Sequence, residues 1–244
     1  MANFKKALKV VLENEGVFTY DKDDTGGMTY KGIARNKHKY WKGWVTVDRT
    51  IKSKNIINFT SQERLNIDNA LNKNIELQKY VKEFYDENFW NKIKGSKIIS
   101  QSFAESFFDY AVNSGVKKPS KMVQKIVGCT ADGVIGNVSI KYLNNYYTTN
   151  PAQKFHLEFL KAKIRRYLNI TKRRPINIKY LFGWTSRSFE SVEKMIDIKL
   201  LTDKGRSKTN QKIIDLYLFV EAGRNSRSIR KNTDKLISLI EKII

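Results

Sequence analysis

Residues 13 to 24, ENEGVFTYDKDD, gather five carboxylates in twelve positions of a chain whose formal net charge is +22. Glu15 stands out by its place on a helix. Phe4, Leu8, Val11 and Glu15 recur at helical spacing and fall within an arc of roughly 60°. Glu13 lies nearly opposite and faces water. Glu15 therefore closes the apolar stripe of a helix over residues 3 to 15, and Gly16 supplies a C-cap. A carboxyl at the edge of a core is partly desolvated. Its pKa rises and it keeps its proton near neutral pH, as a general acid requires. The plain alternative is a half-exposed glutamate at a helix end that does no chemistry.

The elements around Glu15 follow from local patterns. Val17 to Tyr20 alternates as a strand, Asp23 to Gly27 is turn chemistry, and Met28-Thr29-Tyr30 returns as a second strand. A small hairpin beside Glu15 is the expectation. Asp21, Asp23 and Asp24 either cap its turn or, if close to Glu15, disfavour the ionised form of Glu15. Tyr40, Trp41 and Trp44 pack on the domain or wall a sugar cleft.

Downstream, Thr60-Ser61-Gln62-Glu63 is a capping box opening one or two helices up to residue 90. Residues 97 to 113 form the most apolar helix, expected at the centre, and Asn113 at its end either caps it or faces a cleft. Short helices follow over 120–127 and 138–146. A long helix opens at Pro151, and another covers 176–197. After residue 198 come a polar linker and two helices, the last basic and amphipathic. These suit a packed appendage, a dimer surface or a membrane surface.

Composition limits the classes. With 244 residues, 41% hydrophobic, 13 Gly and 3 Pro, the chain is a mainly α protein with a sizeable core. One cysteine, Cys129, excludes an internal disulfide and a thiolate zinc site. His38 and His156 are far apart, so a His-based triad is poorly supported. Lys5, Lys6 and Lys9 interrupt the N-terminal apolar residues, and the stretch is not expected to be a secretory leader. Synthesis in the cytoplasm followed by release is the expectation. The charge calls for an anionic partner: nucleic acid, anionic lipid or wall polymer. The run 161–174 holds seven basic residues and no acid, which suits nucleic acid in outline. An acidic loop beside the candidate catalytic residue does not, and no specific nucleic acid is expected.

Several motifs stand in a specific order. Glu15-Gly16-Val17-Phe18 precedes Asp21-Lys22-Asp23-Asp24-Thr25-Gly26-Gly27-Met28-Thr29-Tyr30-Lys31-Gly32-Ile33. Asp109 to Gly115 reads DYAVNSG, Gln124 to Gly136 reads QKIVGCTADGVIG, and Gly183 to Arg187 reads GWTSR. This series resembles glycoside hydrolase family 108, the lysozyme-like N-acetylmuramidases of phages, prophages and bacteria, with their C-terminal peptidoglycan-binding region. It spans about residues 3 to 190. Val17, Phe18, Lys22 and Thr25 replace the family's Gly, Tyr and two loop prolines. Residues 198–244 have no counterpart.

The resemblance implies a lysozyme-like α+β fold with the hairpin beside the active site and a helical C-terminal part. Residues 1–115 would be catalytic, 116–197 a peptidoglycan-binding region packed on them, and 198–244 a helical extension. It implies cleavage of the β-1,4 bond between N-acetylmuramic acid and N-acetylglucosamine, in the manner of a phage endolysin. Glu15 would be the acid. Asp24, nine residues on, would give electrostatic support or guide water, with Asp21 its rival, and Thr29 would position water. Asp21, Gly27, Tyr30, Asn113 and Gln124 would line the saccharide sites. Peptidoglycan is the expected partner, an anionic wall or membrane surface a further one, and no metal or cofactor is required.

Overall fold

The computed structural model describes residues 1–14, 18–20, 27–51, 60–193 and 208–243. It is mainly helical, with one small sheet inserted after the first helix. Helix α1 (Phe4–Asn14) buries Ala7, Leu8 and Val11 against α5 (Gln101–Ser114). Strands β1 (Phe18–Thr19), β2 (Thr29–Tyr30) and β3 (Ile33–Ala34) form an antiparallel sheet in the order β1-β2-β3. The hairpin expected from the sequence is β1–β2, with Phe18 opposite Tyr30 and Thr19 opposite Thr29. Strand β3 was not expected. It is reached through Lys31 and Gly32, both at positive φ (44° and 76°). Two such residues make the tight turn whose twist matches paired strands.

Helices α2 (Gly43–Ile51), α3 (Ser61–Lys73) and α4 (Ile75–Tyr85) pack beside the sheet. The capping box opening α3 is complete. Thr60 N–H donates to Glu63 Oε2 at 2.9 Å and Glu63 N–H to Thr60 Oγ1 at 3.2 Å. Asn74 caps α4 by accepting from Leu77 N–H at 2.8 Å. The central helix α5 begins at Ser100, whose hydroxyl accepts from Phe103 N–H. Phe103, Ala104, Phe107, Phe108, Tyr110 and Ala111 are all buried on it. It is the innermost helix, as its composition predicts.

Helices α6 (Lys117–Val127), α7 (Asn137–Thr149), α8 (Ala152–Arg173) and α9 (Ile178–Glu193) follow. The long α8 serves two cores. Its Phe155 and Phe159 belong to the aromatic core around α5. Leu160, Ile164 and Leu168 belong to a second core with α9. That second core is completed by α10 (Lys208–Asn225) and α12 (Thr233–Ile243), joined through the short α11 (Arg227–Lys231). Leu236, Leu239, Ile240 and Ile243 bury the apolar face of α12. The C-terminal segment is thus a packed appendage, and its amphipathic face is already covered. No helix among the described residues is long and apolar enough to cross a membrane.

Polar side chains also sit inside this apolar frame. Asp109 on α5 is 7% exposed and accepts from Arg187 of α9 at 2.7 Å. Lys163 of α8 is buried over the rings of Tyr110 and Phe159, with Nζ 3.2 Å from Ser191 Oγ. Burial lowers the Lys163 pKa to about 8, against the opposing pull of Asp109. His156 is buried among Phe103, Tyr147 and Phe155.

Removing Arg187, which is one-third exposed, leaves the buried Asp109 carboxylate short of its cation, so Arg187→Met is expected to destabilise the protein by about 1–3 kcal/mol. Adding Asp109→Leu should recover much of the loss, and equilibrium denaturation of the single and double variants measures it. For His156, burial lowers the pKa from 6.5 to about 4. As pH falls from 6.5 towards 4, the unfolded chain takes up the proton before the folded one, so stability is lost over that window. His156→Phe should remove up to about 3 kcal/mol of that acid-induced loss, read as the difference in denaturation midpoints near pH 7 and near pH 4.

Candidate active site

The sheet has a core face and an open face. Phe18 and Tyr30, paired across β1 and β2, are buried. Thr19 and Thr29, the next pair, lie on the other face, exposed and half-buried respectively. Alternation along a strand makes this division unavoidable. Thr29 therefore stands where a residue that positions water could meet a substrate.

The hairpin is held from behind by α4. Tyr85 O–H donates to the Lys31 carbonyl at 2.7 Å. Gln78 Nε2 donates to Tyr30 Oη at 3.0 Å and to the Leu71 carbonyl at 2.8 Å, and its Oε1 accepts from Lys31 Nζ at 2.7 Å. One amide thus ties a strand, a turn and the end of α3 together. Arg35, just after β3, donates to both carboxylate oxygens of Asp48 on α2 and lies 5.0 Å over the Trp44 ring. Gly27 has φ +63°, and a Cβ there would come within 2.9 Å of the Asn36 side chain. The positive φ is what favours glycine at this position.

Tyr30 was expected to line a saccharide site. It is fully buried, stacked on Trp41, with its hydroxyl held by Gln78. Burial raises its pKa, so the hydroxyl stays neutral. Its place is behind the sheet, where an aromatic body fills the core and its polar tip finds a partner. Gln124 is likewise buried, at 1% exposure. Its Nε2 donates to Asp132 Oδ1 (2.7 Å), the Val134 carbonyl (3.0 Å) and Ser139 Oγ (3.2 Å), and its Oε1 accepts from Gly133 N–H (2.8 Å). The amide organises the ADGVIG turn and has nothing left for a ligand. Asn113 is exposed at the end of α5, its Nδ2 donating to the Asp109 carbonyl at 2.7 Å. Glu15, Asp21 and Asp24 lie outside the described residues.

Of the three aromatics weighed as a sugar wall, Trp44 is buried and donates to the His38 carbonyl. Trp41 packs between Tyr30, Trp44 and Phe84. Tyr40 is 97% exposed at the mouth of a cleft of about 420 Å³. Glu83, Glu87, Trp41 and Tyr80 share that cleft.

Asp68 on α3 escaped the sequence reading. Phe18 N–H donates to it, its Oδ1 is buried with no hydrogen-bond partner, and burial raises its pKa. It lies at the edge of the sheet that follows α1. Nothing in its local sequence, LNIDNAL, marks it, because only the return of β1 onto α3 gives it a role.

A small antiparallel sheet inserted after the first helix of a mainly helical core is consistent with a lysozyme-like fold. The sequence comparison agrees: residues 8–115 match the family described as glycosyl hydrolase 108, and residues 118–189 match a family described as a predicted peptidoglycan domain. Residues 8–115 are thus a glycosyl hydrolase 108 domain, with a peptidoglycan-binding domain on its C-terminal side. The solved structure of Brucella abortus SagA is similar, with 25% identical residues and a TM-score of 0.52; the match covers 78% of this chain and 92% of that one. No curated protein matches in sequence.

The clamp on the hairpin makes a specific prediction. Gln78→Met keeps the volume but removes the amide's bonds to the Tyr30 hydroxyl, the Leu71 carbonyl and the Lys31 ammonium. Stability should fall by about 1–3 kcal/mol, measured by denaturation.

Proposed function

We propose that this glycosidase cleaves the β-1,4 bond between N-acetylmuramic acid and N-acetylglucosamine, with Glu15 as the general acid. The observation that carries the reading is the match of residues 8–115 to glycosyl hydrolase 108, read with a sequence in which Glu15 closes the apolar stripe of α1. Helix α1 packs its Leu8 and Val11 into the core, so its stripe runs toward Glu15.

In this mechanism Glu15 protonates the glycosidic oxygen as the bond to the anomeric carbon breaks. Charge develops on the ring as an oxocarbenium ion. Asp24 stabilises that charge or takes a proton from the attacking water, with Asp21 as its alternative. Thr29, on the open face of the sheet, orients the water. A glutamate at an apolar edge stays protonated as lysozyme's does. The sheet's rigidity matters because misplacing a catalytic group by about 1 Å costs on the order of a hundredfold in rate. Tyr30, Gln78 and Tyr85 supply that rigidity from behind. Tyr40 and the cleft beneath it offer a ring face and two carboxylates at the surface. The peptidoglycan-binding domain holds the wall while the catalytic domain cuts it. Release to the wall in the manner of a phage endolysin fits this division of labour.

The test is digestion of purified peptidoglycan by the wild type and by Glu15→Gln, with mass analysis of the fragments. Fragments ending in reducing N-acetylmuramic acid are expected from the wild type. The variant should fold and lose at least about a hundredfold in rate. Full activity of the variant overturns the assignment of Glu15. A folded wild type that releases no fragments points instead to a wall-binding protein without catalysis.

A further inference from the structure

Helices α6 and α8 pack together, and a groove of about 290 Å³ runs between them. Lys118, Lys121 and Lys125 line one wall, Arg166 and Arg173 the other, over a floor that includes Met122 and Ile170. Lys118 and Lys125 are seven residues apart, as are Arg166 and Arg173. Two helical turns separate each pair, so each wall presents cations along one face for about 10 Å.

Two other cations of these elements have carboxylate partners. On α8, Lys161 pairs with Glu158 and Lys172 with Glu241. Among the described residues none of the five groove cations forms an ion pair, and the groove lining holds no carboxylate. Asp132, the acid that senses Lys121, is committed to Val134 N–H and Gln124. Arg166 Nε is buried beside the Tyr110 hydroxyl, and neither has a well-formed hydrogen bond. That anchors the base of the guanidinium in the core while its tip lines the groove. Five like charges in one concavity create a field that concentrates anions.

We propose that this groove binds a phosphodiester polymer of the cell envelope, carried on or beside the peptidoglycan. The inference rests on the reading that the enzyme works at the wall. Peptidoglycan stem peptides carry amines as well as carboxylates, and a site built for them would include acids. This groove has one sign only, so its ligand is a polyanion. Arginine on one wall suits the bidentate recognition of phosphate. The lining has no aromatic residue, so the bases of a nucleic acid would have nothing to stack on. The groove adds affinity for the decorated wall beyond what the glycan supplies, and it should do so in a salt-dependent way.

The experiment is co-sedimentation of the full chain, on ice, with cell walls before and after hydrofluoric acid extraction, which removes phosphodiester polymers and leaves peptidoglycan. Binding to intact walls is expected to be roughly tenfold tighter or more, with the increment lost as salt rises from about 50 to 200 mM. The double variant Lys125→Glu with Arg173→Glu, both exposed sites, should lose the increment while its melting curve stays that of the wild type. Synthetic poly(glycerol phosphate) should compete for the increment. Equal binding to both wall preparations overturns the groove assignment alone. Binding to neither overturns the wall reading itself. Duplex DNA or phosphatidylglycerol vesicles competing better than the polymer, at equal phosphate, overturns the choice of ligand.

Discussion

The fold depends on how Asp109 is satisfied. A carboxylate on the innermost helix must find a cation or give up its charge. Arg187 of α9 meets it directly, and Lys163 of α8 contributes from a buried site. Neither cation lies in the part of the chain that carries the candidate catalytic residues. The one carboxylate buried on α5 is therefore met by helices of the peptidoglycan-binding region. Against an apolar replacement such a pair adds little net stability. Its consequence here is orientation: a carboxylate, a fork of guanidinium donors and a buried ammonium admit few arrangements. The two regions matched by separate families are consequently one packed body around α5 and α8.

That coupling gives the C-terminal appendage a physical purpose. Helix α9 holds Arg187, and α10 and α12 cover the far side of α9. Gly223 on α10 lets Phe182 approach so closely that a Cβ would fall 2.5 Å from its ring. Arg224 then bridges Glu190, Glu193 and Glu221, joining α9 to α10. The segment without a family counterpart thus braces the helix whose arginine serves α5. The support runs from the C-terminal helices through α9 to the central helix, and from there to α1, which packs on α5.

Much of this was legible in the residues, for reasons that differ by element. The stripe of α1, the capping box of α3 and the apolar run of α5 are local patterns, and local patterns survive into the fold. The β1–β2 hairpin was readable from alternation and turn residues. Strand β3 was not, because its turn is made by Lys31 and Gly32. Lysine at positive φ is uncommon and gives no turn signal. Roles that depend on distant partners were harder. Tyr30 and Gln124 carry polar atoms that look available to a sugar, yet both are consumed by partners inside the protein. Gln124 answers to residues eight to fifteen positions on, and Tyr30 to one 48 positions away. Asp68 was invisible for the same reason.

The burial of Tyr30 also changes what the departures from the family pattern mean. The open face of the sheet carries short polar side chains, Thr19 and Thr29, while its aromatic mass lies behind. That face offers hydroxyls and little apolar surface. Ring stacking must come from elsewhere, and the exposed aromatic of the neighbouring cleft is Tyr40. Under the proposed function, substrate affinity is shared among separate contributors: the polar face of the sheet, the aromatic of the neighbouring cleft, and the peptidoglycan-binding domain packed on α5. Rigid coupling makes such sharing effective, because a second contact on a body already held at the wall acts at high effective concentration. The buried ion pair thereby reaches into function without touching substrate. Under the proposed function, it sets the spacing between the domain that holds the wall and the domain that cuts it.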